Sequence, residues 1–106
     1  MVRTWREPGV WQRAHEFVMQ VYELAEAFPS TEKYRLVDQL CRSAISIPAN
    51  IAEGHARHTT KEYIQLLYTA RGSLEEARYH LLLARDLGYL TLEAYQQAEG
   101  PRRRSG

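Results

Sequence analysis

The fold is decided by residues 61–86, which read KEYIQLLYTARGSLEEARYHLLLARD. Large and small apolar residues alternate there at steps of four and three. The alternating positions are Tyr63, Leu67, Ala70, Leu74, Ala77, Leu81 and Ala84. Because an α-helix has about 3.6 residues per turn, these side chains share one face and form the heptad seam of a left-handed bundle. The pattern therefore predicts a long third helix that buries this seam.

Capping signals bound the third helix and predict a fourth. Thr59-Thr60-Lys61-Glu62 has the form of a capping box at its start, and Gly88 has the position of a C′ residue after its end. Thr91 can then cap a short fourth helix over residues 91–99. Gly100-Pro101 ends that helix because proline cannot continue it.

Two amphipathic helices are predicted before the third. The first covers residues 10–28 and carries the apolar stripe Val10, Ala14, Phe17, Val21, Leu24 and Phe28. The second covers residues 31–57, with Ser30 or Thr31 as its cap. Its apolar stripe is Leu36, Leu40, Ala44, Ile47 and Ile51. Pro48 lies inside this second helix and predicts a kink, because the proline ring collides with the carbonyl of the preceding turn.

The predicted class is all-α: an antiparallel up-and-down four-helix bundle with three long helices and a short fourth. Residues 1–9 form an N-terminal extension, residues 10–99 the bundle and residues 100–106 a disordered basic tail. The fourth helix is too short to cover the seam between the first and third helices. Ile64, Tyr68 and Leu82 are therefore expected to stay accessible as an interface, unless the first helix leans across and closes a three-helix core.

Composition predicts one globular domain with no strong partner preference. The chain has 106 residues, a formal net charge of +1 and one cysteine. A lone cysteine cannot form an internal disulfide, so the chain is expected to be intracellular. No apolar run approaches the roughly 20 residues that span a bilayer, and the N-terminus lacks a signal-peptide stretch. We therefore expect a cytoplasmic protein with no membrane partner.

The sequence offers little for catalysis, a metal or a cofactor. Cys41 lies near an apolar stripe, with no evident cation to activate it. His55 and His58 could bind a metal in principle, but the Glu-x-x-His motif of di-metal bundles is absent. Glu76 and His80 fall on a polar stripe of the third helix that predicts solvated surface. The chain is therefore predicted not to be an enzyme and to need no cofactor.

A second stripe of the third helix carries a non-random charge pattern. Its members are Lys61, Ile64, Tyr68, Arg71, Glu75, Arg78, Leu82 and Arg85. Such a ridge, about 36 Å long, could lie along a phosphate backbone with Tyr68 free to stack on a base. The alternative is equally physical, because Glu75 can form ordinary ion pairs with arginines one turn away on a solvated face.

Several motifs resemble a known family. They are Val10-Trp11-Gln12-Arg13-Ala14, residues 39–54 (QLCRSAISIPANIAEG), Lys61-Glu62-Tyr63, Gly72-Ser73-Leu74-Glu75-Glu76 and Leu87-Gly88-Tyr89-Leu90. Together they resemble bacterial four-helix-bundle proteins named for members encoded in intervening sequences of large-subunit ribosomal RNA genes. That family is in turn similar to the accessory variability determinant proteins of diversity-generating retroelements.

The resemblance implies a ring-like homopentamer, and the retroelement relatives imply binding to nucleic acid and to a reverse transcriptase. It brings no catalytic residue. Arg42 and Lys61 match basic positions of its motifs. The matching positions with a structural role are Pro48, Asn50, Glu53, Gly54, Gly72 and Gly88. We expect Asn50 and Glu53 to satisfy backbone groups freed by the proline and Gly72 to allow close helix approach. Relatives continue the fourth helix for several more turns, so this chain departs from the family there. The departure affects the pentamer if the last helix contributes to the contact between subunits.

Two hypotheses follow for function. The first is a non-enzymatic oligomer that binds RNA or an RNA–protein complex through basic side chains. Those side chains are Arg42, Arg57, Lys61, Arg71, Arg78 and Arg85. The second is a protein-interaction scaffold in which Ile64, Tyr68 and Leu82 dock a partner and the charges serve only solubility.

Overall fold

The computed structural model describes residues 9–98, and in this range the chain forms four α-helices and no strand. The helices are α1 (Val10–Ala25), α2 (Leu36–His55), α3 (Thr60–Asp86) and α4 (Leu92–Ala98), with a 3-10 turn at Ser30–Glu32. The predicted all-α class is confirmed. Apart from Gly9, the predicted N-terminal extension and basic tail lie outside the described residues.

Helix α2 begins later than predicted, at Leu36, with Arg35 and neither Ser30 nor Thr31 at the N-cap position. The Glu32 Oε1 atom accepts a hydrogen bond of 3.3 Å from the backbone N–H of Leu36. Residues 30–32 form a separate 3-10 turn with no side-chain cap. Helix α2 is therefore 20 residues long, about 30 Å rather than the expected 40 Å.

Pro48 is buried within a continuous α2. Asn50 and Glu53 are predicted to satisfy the backbone group that Pro48 frees. Asn50 does not do so. Proline deprives the carbonyl of Ala44 of its donor, whereas the Asn50 Nδ2 atom donates to the carbonyl and hydroxyl of Ser46 at 2.7 and 2.9 Å. Side chains on a helix lean over the residue four positions earlier, and for Asn50 that residue is Ser46.

Helix α2 packs along both α1 and α3, and its predicted stripe from Leu36 to Ile51 is buried throughout. One core cluster joins α2 to Val21, Leu81 and Tyr95 from the other three helices. A second cluster joins α2 to α1 and α3 nearer the other end of the molecule. Its buried members are Ala14, Ile47, Ile51 and Ala70. Both clusters thus contain side chains of α1, α2 and α3, while Ile64 and Tyr68 of α3 stay exposed, as the first of the two alternatives expected.

Contacts between α2 and α3 show that the two helices run in opposite directions. Gly54 lies against Tyr63, and the hydroxyls of Ser46 and Ser73 lie 2.9 Å apart. At the far end Tyr89, just after α3, donates to Glu32, just before α2. Residues late in α2 thus contact residues early in α3, and residues before α2 contact residues after α3, as in an antiparallel pair.

The two helical glycines behave differently. A Cβ atom added to Gly54 would lie 2.9 Å from Cδ1 of Tyr63, so this glycine permits the close approach of α2 and α3. A Cβ atom added to Gly72 would meet nothing within 4 Å. The expectation that Gly72 permits close helix approach is therefore wrong, because this position of α3 faces outward.

The predicted end of α3 and start of α4 are confirmed, whereas the predicted stop of α4 at Gly100-Pro101 lies outside the described residues. Gly88 adopts a φ of 85°, the left-handed region that favours glycine. The backbone N–H groups of Gly88 and Tyr89 donate to the carbonyls of Arg85 and Ala84, which completes a Schellman motif. The Thr91 hydroxyl accepts from the backbone N–H of Ala94 at 3.0 Å and caps α4.

Candidate nucleic-acid interface

The predicted basic stripe lies on the outward side of α3, and we call its eight residues from Lys61 to Arg85 the α3 ridge. Ile64 and Tyr68 are exposed, at 43% and 65% of their surface. Leu82 is half-buried and packs on the core cluster that contains Tyr95 and Ala98 of α4. Leu82 is therefore less accessible than Ile64 and Tyr68, although part of its surface remains exposed.

The positive charge of the ridge is partly neutralised towards its C-terminal end. An Arg78 Nη atom lies 2.9 Å from a carboxylate oxygen of Glu75. Arg85 pairs with Asp86 at 2.9 Å, and its guanidinium stacks 4.8 Å from the ring centre of Tyr95. Arg85 therefore ties α4 to α3 as well as carrying charge.

Lys61 and Arg71 retain uncompensated charge. Within residues 9–98 neither side chain has an ion-pair partner. By helical spacing the two cations are separated by about 15 Å along α3, with Tyr68 between them. Free charge and exposed aromatic surface therefore coincide on the N-terminal half of the ridge.

The two candidate arginines outside α3 are both paired. Arg42 donates from Nε to Asp38 at 3.0 Å, and Arg57 forms an ion pair with Glu53. Both pairs are at least partly exposed, so each contributes little to stability and the arginine can turn towards a phosphate. Arg42 lies one turn before Ser46, beside the contact between α2 and α3.

An open cleft of about 590 Å³ adjoins the exposed ring of Tyr68. Its lining residues are Arg57, Glu62, Gln65, Leu66, Tyr68 and Thr69. Thr69 Oγ1 donates to the backbone carbonyl of Gln65 at 3.1 Å. The backbone N–H of Glu62 donates to the Thr59 hydroxyl. This bond confirms the Thr59 half of the predicted capping box. The cleft thus lies between Arg57, which is paired, and Tyr68 of the α3 ridge.

The polar stripe predicted as solvated surface is partly buried. Ser73 is half-buried against Ser46, and His80 is only 7% exposed. The Nε2 atom of His80 lies 3.3 Å from Glu76, while its buried Nδ1 atom has no hydrogen-bond partner among residues 9–98. These residues line the contact with α2, which periodicity within α3 does not reveal.

Glu32 and Tyr89 form a hydrogen-bonded clasp that no sequence signal predicts. The Tyr89 hydroxyl donates to Glu32 Oε2 at 2.7 Å across 57 residues of sequence. This bond lowers the pKa of Glu32, helped by the Leu36 backbone N–H and opposed by burial. The same bond raises the pKa of Tyr89 because the neutral hydroxyl is the donor. The clasp fastens the start of α2 to the end of α3.

The remaining candidate chemistry finds little support in the described part of the chain. Burial raises the pKa of the Cys41 thiol, and the nearby carboxylate of Asp38 raises it further. The thiolate, which is the nucleophile, is thereby disfavoured. Residues 9–98 contain no group of three or more His, Cys, Asp or Glu side chains able to hold a metal ion. In the same range, every helix is too short or too polar to cross a bilayer.

Known proteins match this chain in both sequence and fold. A family model described as 23S rRNA-intervening sequence protein matches residues 6–101. The fold is similar to that of a protein of unknown function from the S23 ribosomal protein family of Bacteroides thetaiotaomicron, with 26% identity and a TM-score of 0.79. The match covers 86% of this chain and 85% of the other. No curated protein matches the chain.

Proposed function

Because this chain belongs to the 23S rRNA-intervening sequence protein family, we propose that it is a non-enzymatic protein that binds RNA through the α3 ridge. The observation that carries the proposal is the uncompensated charge of Lys61 and Arg71 on either side of an exposed Tyr68. Phosphate contacts supply most of the affinity in nucleic-acid binding, and aromatic rings add stacking with exposed bases.

The N-terminal half of the ridge is the centre of the proposed contact. Lys61 and Arg71 can bind phosphates without first breaking an ion pair. Arg57 and Arg78 add charge beside this half of the ridge, at the cost of releasing a carboxylate, whereas Arg42 lies on α2 near the Ser46–Ser73 contact, away from it. Binding should therefore be strongest at low salt, where exposed charges are least screened.

Charge reversal on the ridge tests the proposal. We expect Arg71→Glu to weaken binding of a fluorescently labelled single-stranded RNA about tenfold or more at low salt, measured by fluorescence anisotropy. Arg13→Glu is the matched control, because Arg13 is exposed on α1 and lies off the ridge. Equal loss of affinity in both variants would mean that overall charge, and not the ridge, governs binding.

We propose further that the chain assembles as a homopentamer and acts beside a reverse transcriptase. Support comes from the similarity of this family to the accessory variability determinant proteins of diversity-generating retroelements. Light scattering should give five times the chain mass of 12.3 kDa, and a monomeric mass would contradict the pentamer. Co-purification with a reverse transcriptase, where one is encoded beside this gene, tests the partner.

A protein-interaction scaffold is the second candidate, and the exposed apolar side chains of Ile64 and Tyr68 favour it. In that case Tyr68→Glu should abolish capture of the partner protein while weak RNA affinity persists. The proposed RNA-binding function predicts instead that Tyr68→Glu and Arg71→Glu weaken RNA binding together.

A further inference from the structure

The cleft beside Tyr68 combines exposed aromatic surface with a free carboxylate. Tyr68 is 65% exposed, and the half-buried Leu66 provides further apolar lining. The volume of about 590 Å³ lies within the range of roughly 300–1,000 Å³ that is usual for small-molecule sites. A flat group of the size of a nucleobase therefore fits beside the ring.

The carboxylate of Glu62 is the unexpected member of this lining. Among residues 9–98 the Glu62 carboxylate has neither an ion-pair partner nor a hydrogen bond. Only the backbone N–H of Glu62 is engaged, because it donates to the Thr59 hydroxyl. A carboxylate repels phosphate and only accepts hydrogen bonds. Its useful partner in an RNA site is therefore the donor edge of a base, while phosphates lie on the cations outside the cleft.

The other polar side chains of the cleft complete a base-reading set. The Gln65 amide offers both a donor and an acceptor. The Thr69 hydroxyl gives its proton to the Gln65 carbonyl, so its lone pairs remain available as acceptors. Arg57 is the one cation of this lining and is paired with Glu53, while Lys61 and Arg71 lie outside the cleft on α3. The cleft thus offers hydrogen-bond acceptors, and most of the free positive charge lies beyond it on the ridge.

We propose that this cleft holds one unstacked base of single-stranded RNA and prefers guanine. Guanine presents two adjacent N–H donors on its Watson–Crick edge, which match the two oxygens of the Glu62 carboxylate, while the base stacks on Tyr68. The inference rests on the proposed RNA-binding function and names its ligand more narrowly.

The preference for single-stranded RNA follows from the geometry of the duplex. Bases within an A-form duplex are stacked, and the deep major groove does not admit side chains. A base reaches the ring of Tyr68 only when it is free of its own stack. Lys61 and Arg71 lie about 15 Å apart along α3, so a strand of a few nucleotides can contact both cations while one base enters the cleft.

Labelled oligouridylates test the inference by fluorescence anisotropy. Three RNAs of about ten nucleotides, a usual site size, carry a central guanosine, a central adenosine or uridine throughout. For the wild-type chain we expect the guanosine RNA to bind about tenfold more tightly than the other two, the usual discrimination of a bidentate contact. A duplex of equal length should bind more weakly than all three.

Two variants and one control separate the contributions. Glu62→Gln should remove the guanosine preference and bind the all-uridine RNA at least as tightly as before, because a repelling charge is lost. Tyr68→Leu should weaken all three single strands about tenfold, the usual effect of losing one stacked base. Tyr79→Leu is the control, since Tyr79 is 57% exposed on the same helix and lies outside the cleft.

The outcomes distinguish this inference from the proposed function. If Glu62→Gln keeps the guanosine preference, if Tyr68→Leu binds like Tyr79→Leu, or if the duplex binds as tightly as the single strands, the cleft is not a base site. Ridge binding would then still stand, provided that affinity falls with salt and with Arg71→Glu. If the wild-type chain binds none of these RNAs at low salt, the proposed function fails and the inference with it. Thermal denaturation checks that each variant is folded.

Discussion

The same substitution should have opposite effects at Gly54 and Gly72. Alanine is favoured over glycine in a helix interior by about 1 kcal/mol. At Gly72 a new Cβ atom meets nothing within 4 Å, so Gly72→Ala should gain this amount in full. For a domain of about this size, the gain corresponds to a rise of about 4–8 °C in Tm.

At Gly54 the new Cβ atom would lie 2.9 Å from Cδ1 of Tyr63 and 3.5 Å from Cβ of Leu66. The ring of Tyr63 also packs edge-on against His55, with 5.3 Å between ring centres, which limits its movement. Overpacking costs about 1–3 kcal/mol and outweighs the gain of about 1 kcal/mol in helix propensity. Gly54→Ala should therefore lower the free energy of unfolding by about 1 kcal/mol.

Thermal denaturation followed by circular dichroism measures both changes, and urea unfolding gives the free energies. A higher Tm for Gly54→Ala would refute the close contact between α2 and α3. A lower Tm for Gly72→Ala would show that another surface covers this face of α3, and light scattering of the same samples would identify a second copy as that surface.

Three further predictions concern the clasp, the α2 polar contact and α4. The lowered pKa of Glu32 adds stability above its ordinary value of 4.5, and this stability is lost as pH falls through the lower folded value. Acid unfolding followed by fluorescence should therefore show a weaker pH dependence below 4.5 in Tyr89→Phe than in the wild-type chain. Asn50→Ala removes two hydrogen bonds and should cost about 1–2 kcal/mol in urea unfolding; no measurable loss would contradict their role. Arg85→Ala should cost about 0.5–1 kcal/mol by removing the stack on Tyr95, and unchanged hydrogen exchange in α4 would argue against that tether.

Periodicity is sufficient to predict most of the core. The α2 stripe from Leu36 to Ile51 is buried throughout, as are Ala70, Ala77, Leu81 and Ala84 of α3. Other predicted stripe positions are less covered: Val10 of the α1 stripe is exposed, and Tyr63, Leu67 and Leu74 of the α3 seam are only half-buried. A repeat of apolar residues specifies which face of a helix turns inward, but not how far each end of that face is covered.

Contacts between elements are what the sequence does not reveal. Gly54 and Gly72 both lie inside helical patterns. Only the structure shows that a side chain at Gly54 would meet Tyr63, whereas a side chain at Gly72 would point outward. Glu32 and Tyr89 meet across 57 residues, a separation for which no local pattern exists. Burial of His80 likewise depends on where α2 lies beside α3.

The candidate site shows the same division. Spacing alone places Lys61, Tyr68 and Arg71 on one ridge, and the structure retains that arrangement. Which cations are already paired depends on side-chain geometry. Arg78 pairs with Glu75 one turn away, whereas Arg71, also one turn from Glu75, has no ion-pair partner in the described part of the chain. The cleft adds Arg57, which follows the end of α2 and which no pattern within α3 includes.

The salt dependence of RNA binding tests the central claim most directly. For single strands, log K falls against log salt with a slope of about −0.7 for each phosphate contact. We predict that the wild-type chain shows a steep slope, and that the double variant Lys61→Gln/Arg71→Gln shows a slope smaller in magnitude by about 1.4, since two contacts are lost. Binding that is insensitive to salt, or a slope unchanged in the double variant, would contradict RNA recognition by the α3 ridge.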